Sequence, residues 1–169
     1  MNVLLITEND IKSRTRIDGN TDSENFISSM IVAQDVYLEP ILGTDFMNRY
    51  KTMIQDDTLD SPVNSDYKEL LNNYIKPLLI KFFMMAYLPV SAYQYSNSGV
   101  TKHTSDNIET VDSSDVDKLV NQETALAKHY EVRLLHYLCH NDELFPEYEI
   151  NEDGKTSPRT TATFTGWFI

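Results

Sequence analysis

The chain has 169 residues, a formal net charge of −12 and 41% hydrophobic residues. Its length suffices for one domain with a buried core, and its hydrophobic fraction is too high for a disordered chain of ordinary composition. The negative charge argues against a protein that wraps nucleic acid with a basic face. The single cysteine, Cys139, excludes an internal disulfide and a four-cysteine zinc site. Lys76, Pro77 and Lys81 interrupt the most apolar run, so we expect no membrane span.

The start of the chain predicts a short helix. Thr7 is a good N-cap, Asp10 occupies the third helical position, and Ile6 can pack on Ile11. The turn-forming residues Asp18-Gly19-Asn20 then separate this helix from the next one.

A second helix is predicted over residues 23–39, because Thr21 and Glu24 have the spacing of a capping box. Pro40 should stop or kink this helix, since the residue before a proline disfavours helical backbone. The predicted apolar stripe, with Gln34 as its one polar interruption, consists of Ile27, Met30, Ile31 and Leu38.

Three more helices are predicted further along the chain. Gly43 ends a turn, and Thr44 should cap the third helix. The fourth helix begins at Asn64 or Ser65 and should kink at Pro77. The fifth runs over residues 114–140. The core candidates of these helices are Phe46, Met47, Tyr50, Met53, Ile54, Tyr67, Leu70, Leu71, Tyr74, Ile75, Leu78, Phe82, Met85, Ala86, Val116, Leu119, Leu126, Tyr130, Leu134 and Leu138.

Two segments lie outside this helical pattern. Residues 89–113 are rich in Ser, Thr and Asn, with a plausible turn at Asn97-Ser98-Gly99 between two short extended pieces. A bare loop of this length is uncommon inside a compact domain, so we interpret it as an arm that binds a partner. The residues assigned to that contact are Tyr93, Tyr95, Gly99 and Val100.

The second segment is the C-terminal tail, residues 152–169, which contains the only tryptophan of the chain. Chain ends normally fray, so an aromatic cluster at an end indicates a docking site. We assign partner binding to Phe164, Trp167, Phe168 and Ile169. The alternative is that Trp167 folds back onto the chain's own helices. The expected fold is thus mainly α: a helical domain over residues 1–151, built as a bundle of four to five helices with a protruding loop or β-hairpin arm, followed by an extended tail.

Catalytic chemistry finds little support in the sequence. His136 and His140 share a helix face and have a spacing that can hold a metal, but no glutamate completes a zinc-protease pattern. We interpret both histidines as structural and Cys139 as a small buried residue. No phosphate-binding glycine loop and no nucleophile-elbow motif is present. We therefore expect no enzyme, no cofactor and no metal.

The segment "LLITENDIKSRTRIDGNTDSENFISSMIVAQDVYLEPILGTDF" resembles the start of head–tail connector (adaptor) proteins of tailed bacteriophages. It has a short helix opened by Thr7 to Ile11, a turn at Ile17-Asp18-Gly19, and a helix that ends in Ile41-Leu42-Gly43. The Ile-Leu-Gly ending is similar to that of versions from phages of gut Bacteroidetes, including ring proteins of crAss-like phages. The long arm and tail depart from the short members of that family.

This resemblance implies a structural virion protein that forms a homo-dodecameric ring between portal and tail. Its partners would be copies of itself, the portal protein and a tail or second ring protein. DNA would pass through the ring without specific binding, and the particle would assemble in the host bacterial cytoplasm. Two alternatives remain: another neck or tail-completion protein of the same helical type, and a small metal-dependent enzyme that uses His136 and His140.

Overall fold

A computed structural model describes residues 3–17, 24–91, 93–96, 99–102, 113–149 and 155–159. The fold is mainly helical, as predicted from the sequence, and the described residues form five helical stretches. These are α1 (Glu8–Arg14), a stretch from α2 (Glu24–Val32) to α3 (Glu39–Leu42), α4 (Thr44–Gln55), a stretch from α5 (Ser65–Leu70) to α6 (Lys76–Ser91), and α7 (Ser113–His140).

The first helix begins where the sequence predicts it to begin. Thr7 accepts a hydrogen bond from the backbone N–H of Asp10, and the Asp10 carboxylate accepts one from the backbone of Thr7. This reciprocal pair satisfies two backbone donors that the helix itself cannot satisfy. Ile6 and Ile11 are both buried. Lys76 in α6 donates to Asp10 at 3.1 Å and so ties α1 to α6.

The predicted stripe of α2 is partly wrong. Ile27 is 50% exposed, while Phe26, Met30 and Ala33 are buried. A π-helical segment, Ala33–Leu38, follows α2 and its wider turn brings Leu38 back into the core. Because a π-helical turn contains an extra residue, a stripe counted with the α-helical period does not hold through this segment.

Gln34, the predicted polar interruption of that stripe, is a buried structural residue. Its amide oxygen accepts from the backbone N–H of Leu5 at 3.0 Å, and its amide nitrogen donates to the carbonyl of Val3 at 3.0 Å. Only 3% of Gln34 is exposed. The side chain therefore binds the extended N-terminal segment to the core through two backbone groups.

Both π-helical segments end two residues before a proline. The first precedes Pro40, and the second, Leu71–Ile75, precedes Pro77. In each case the residue just before the proline donates its backbone N–H to the carbonyl five positions earlier. Glu39 donates to Gln34, and Lys76 donates to Leu71. Helical backbone then continues through the proline, so the helix does not stop at Pro40, which was one of the two outcomes predicted there. The helix ends at Leu42 instead, and Gly43 follows it with φ 84°.

Buried residues of α1 to α7 and of the segment after α7 form one core cluster. The prediction that Thr44 caps α4 is wrong. Thr44 is the first residue of the helix, and Gly43 occupies the N-cap position. An aromatic cluster joins α4 and α5 to the residues after α7: Phe46, Tyr50, Tyr67, Phe145 and Tyr148. A second aromatic cluster, Phe26, Phe83 and Tyr87, joins α2 to α6.

The last helix packs along α6, and its buried residues lie in its second half. Leu134 and Leu138 are buried as predicted, whereas Leu119 and Leu126 are 45% and 38% exposed. Near its first half, Lys81 of α6 pairs with Glu123 of α7 at 3.0 Å. No helix in the described part of the chain is long and apolar enough to cross a membrane.

The predicted arm contains a β-hairpin. Strands β1 (Tyr93–Ser96) and β2 (Gly99–Lys102) pair antiparallel, with Tyr95 opposite Val100 and Tyr93 opposite Lys102. The segment starts later than the residue 89 expected from the sequence, because α6 continues through Pro89 to Ser91. A proline near the last turn of a helix removes only one of the remaining backbone hydrogen bonds.

Candidate interaction surfaces

Residues 155–159, here called the strap, lie on the helical body without regular secondary structure. The carbonyl of Thr156 accepts from the N–H of Thr44 at 2.9 Å, and the N–H of Arg159 donates to the carbonyl of Ile41 at 3.0 Å. The hydroxyl of Thr44 accepts from the N–H of Thr156 at 3.1 Å and donates to Glu39 at 2.9 Å. These bonds hold the strap against the junction of α3 and α4.

The glycine at this junction allows the strap to approach. Gly43 is buried and has φ 84°, which favours glycine over residues with a side chain. A Cβ atom at this position would lie 2.9 Å from both the Cδ and the N of Pro158. Pro158 is itself buried. Gly43 thus ends the helix, as the sequence predicts, and also leaves room for the strap.

A buried ion pair connects the strap to α7. The carboxylate of Glu131 is 2% exposed and lies 2.5 Å from the guanidinium of Arg159. The hydroxyl of Tyr148 donates to the carbonyl of Arg159. Burial, followed by a smaller effect of Cys139, raises the pKa of Tyr148 to about 12, so this hydroxyl stays protonated as a donor at neutral pH. Lys155 adds an exposed pair with Asp45 at 2.8 Å.

The strap changes where the C-terminal tail leaves the body. The sequence places the tail at residues 152–169, but its residues 155–159 belong to the packed structure. A segment free to reach a partner therefore starts no earlier than Thr160. The predicted anchor residues Phe164, Trp167, Phe168 and Ile169 lie outside the described residues.

The predicted arm contacts fall on the hairpin. Tyr93 and Tyr95 are both in β1, and Gly99 and Val100 are both in β2. The strand register brings Tyr95 and Val100 together as partners on that ladder. The structure thus places the four predicted arm residues on one two-stranded unit.

The histidine face of α7 differs from the sequence-based interpretation. His136, Cys139 and His140 are all exposed, so Cys139 is not the buried residue that was predicted. The rings of His136 and His140 lie 4.1 Å apart between centroids, and Nδ1 of His140 is 2.8 Å from the carbonyl of His136. Among the described residues, no group of three His, Cys, Asp or Glu side chains is arranged to hold a metal.

Sequence reasoning missed the strap and its partners. Pro158 and Arg159 stand in a polar stretch without helical or strand period, which gives no sign of burial. The burial of Glu131 could have been predicted, because it stands at helical spacing from the apolar residues Ala127, Leu134 and Leu138. A carboxylate at such a position requires a cationic partner, and Arg159 supplies it.

Fold and surfaces together define a mainly helical protein whose C-terminal strap is bound to its own body. A family described as a family of unknown function, DUF6712, matches residues 38–158. The match spans more than two thirds of the chain, so the protein belongs to this family. The matched range contains both Gly43 and Pro158. No curated protein and no solved structure matches the chain.

Proposed function

We propose that this protein is a head–tail connector of a tailed bacteriophage, a structural component that forms a ring between portal and tail. The proposal assigns it no catalytic role. Its site of action is the neck of the virion, and it assembles there in the host bacterial cytoplasm. Its partners are further copies of the chain, the portal protein and a tail or second ring protein.

The observation that carries the proposal is the agreement between the adaptor-like segment and the local structure. The resemblance implies a short helix, a turn and a longer helix that ends in Ile-Leu-Gly. The described residues contain α1 with its capping box, and a helical stretch that ends at Leu42 before Gly43. The helical body that follows supports the same class of protein.

The charge of the chain supports this role. A ring around a DNA channel must let the DNA pass, and a net charge of −12 disfavours binding to the phosphate backbone. A hairpin beside the bundle and a tail that starts at the strap provide contacts with neighbours. In a closed ring each copy uses one face to bind a different face of the next copy, so two unlike surfaces are needed.

Electron cryomicroscopy of the particle neck tests the proposal. We expect density for this chain as a closed ring in contact with the portal. Scattered single copies, or absence from purified particles, would overturn the ring assignment. Density in a ring that does not touch the portal would favour the second candidate, another neck or tail-completion protein of the same helical type.

A further inference from the structure

An open groove of about 560 Å³ lies between α7 and the second π-helical segment. Tyr74 and Tyr137, which both line it, stack on each other with ring centroids 4.2 Å apart. The guanidinium of Arg133 lies over the Tyr74 ring, 5.0 Å from its centroid. This stacking orders the cationic group at the groove wall, since cation–π contacts restrain a long side chain.

The groove is lined by one guanidinium and three imidazoles in a chain whose formal net charge is −12. Its other lining residues include His129, His136 and His140, which share one face of α7 with Arg133. No lining residue is a carboxylate, although the chain has 26 Asp and Glu residues. Two carboxylates of α5, Glu69 and Asp66, act on Tyr137, whose pKa is raised by burial first and then by Glu69, Tyr74 and Asp66.

The groove also offers apolar contact area. Val132 is 52% exposed on its wall, next to the two stacked tyrosine rings. A fitting ligand therefore combines carboxylates with an apolar side chain. A rigid ligand would bind better than a flexible one, because less conformational entropy is lost on binding.

The chain carries such a ligand in the connection between α4 and α5. Asp56 and Asp57 are exposed, and Val63 is 87% exposed close by. Asp57 has φ 53°, the N–H of Thr58 donates to Met53 at 2.9 Å, and Asn64 donates to the Thr58 carbonyl at 2.9 Å. These bonds fix the shape of the connection before any partner is present.

We infer that the groove of one copy binds the 56–63 connection of a second copy. Arg133 and the histidines face the carboxylates of Asp56 and Asp57, and Val63 packs near Val132 and the tyrosine rings. This is a heterologous contact, the kind that closes a ring. The inference rests on the proposed ring assembly and names the surfaces that would build it.

Disulfide trapping tests the contact directly, even where association is weak. Val132→Cys and Val63→Cys are introduced into separate chains that also carry Cys139→Ser, so no charge is altered. We expect a disulfide-linked dimer when the two chains are mixed under mild oxidation. The matched control pairs Val132→Cys with Val36→Cys, because Val36 is 58% exposed on a different helix. Equal trapping of the two pairs, or none with Val63→Cys, would overturn the inference.

Charge reversal gives an independent readout by sedimentation of the full chain. Arg133→Glu should weaken self-association roughly tenfold or more, since like charges then face each other. Asp56→Lys should weaken it similarly, and the variant with both changes should recover. Lys118→Glu is the control for Arg133→Glu. Lys118 is 76% exposed near the start of α7, and its substitution changes the net charge by the same amount. Loss without recovery in the double variant would overturn the pairing.

The portal complex separates this inference from the proposed function. If the Arg133→Glu protein still forms complete rings on the portal, the inferred contact between the groove and the 56–63 connection is wrong and the connector role stands. The connector role itself fails when the unaltered chain neither binds the portal nor occupies the neck. Portal binding by Arg133→Glu without ring closure supports both.

Discussion

The carboxylate of Glu131, on α7, and the guanidinium of Arg159, on the strap, form an ion pair at 2.5 Å with Glu131 almost completely buried. This pair connects residues 28 positions apart along the chain. A buried charge without a partner is strongly unfavourable. Glu131 can therefore stay buried at low cost only when the strap is bound.

Arg159→Ala should therefore destabilise the protein by roughly 3 kcal/mol, the cost of leaving a buried carboxylate unpaired. The variant with both Glu131→Leu and Arg159→Met should regain most of that loss, since apolar side chains often replace buried ion pairs without cost. Urea unfolding of the three proteins measures the difference. Equal losses for the single and the double variant would contradict the ion-pair explanation.

Gly43→Ala should destabilise the protein through two separate effects. The backbone angles φ 84° and ψ 158° lie in a region that is essentially restricted to glycine and cost a residue with a side chain about 1–3 kcal/mol, and the new Cβ would meet Pro158 at 2.9 Å. In a chain that ends at residue 154 only the first effect remains, so the loss should be smaller there. Thermal unfolding of all four proteins tests this. The same loss in both backgrounds would show that Pro158 does not press on this position.

Gln34→Leu should destabilise the protein although it adds apolar volume to a buried site. The change leaves the N–H of Leu5 and the carbonyl of Val3 without their hydrogen-bond partner. Each unsatisfied buried group costs about 1–3 kcal/mol. Val36→Leu is the control, because Val36 is exposed on the same π-helical segment. A Gln34→Leu protein as stable as the control would show that the N-terminal segment finds other partners.

Acid should weaken the connection between α1 and α6. Burial tends to raise the pKa of Asp10, but hydrogen bonds from the backbone and hydroxyl of Thr7 and the ammonium of Lys76 lower it below its ordinary value of 3.8. A carboxylate with a lowered folded-state pKa stabilises the fold above the unfolded pKa, and this contribution is lost as the pH falls through the folded value. Asp10→Asn should reduce the difference between the unfolding free energies at about pH 6 and about pH 3. An unchanged difference would assign the acid sensitivity to other groups.

Deletion of residues 164–169 should hardly change the melting temperature of the isolated protein and should block attachment to the portal or a neighbouring ring. Residues from Thr160 onward span at most about 33 Å when extended, at roughly 3.3 Å per residue, which is enough to reach a neighbouring subunit. Deletion of residues 155–169 is the comparison and should lower the melting temperature, because it removes Arg159. A large loss of stability from the shorter deletion would show that Trp167 belongs to the protein's own core.

The helices were predictable because local signals determine them. The capping residues Thr7 and Asp10 define the start of α1, and the helical spacing of Leu134 and Leu138 identifies the buried face of α7. The π-helical segments were not predictable from an α-helical period, and they account for the misassigned stripe at Ile27. The strap was not predictable from local patterns, because its hydrogen bonds join it to Ile41 and Thr44, which lie far away in the sequence.

The strap also has a consequence for the order of folding. The bond between Thr44 and Thr156 joins residues 112 positions apart, whereas the helices form from neighbours along the chain. Contacts of high sequence separation form late, because closing a long loop costs entropy before any contact repays it. During synthesis α4 must wait for nearly the whole chain to leave the ribosome before the strap can bind beside it. Glu131 is made after α4 and lacks its cationic partner until Arg159 follows 28 residues later, so docking of the strap is also the step that neutralises this buried carboxylate.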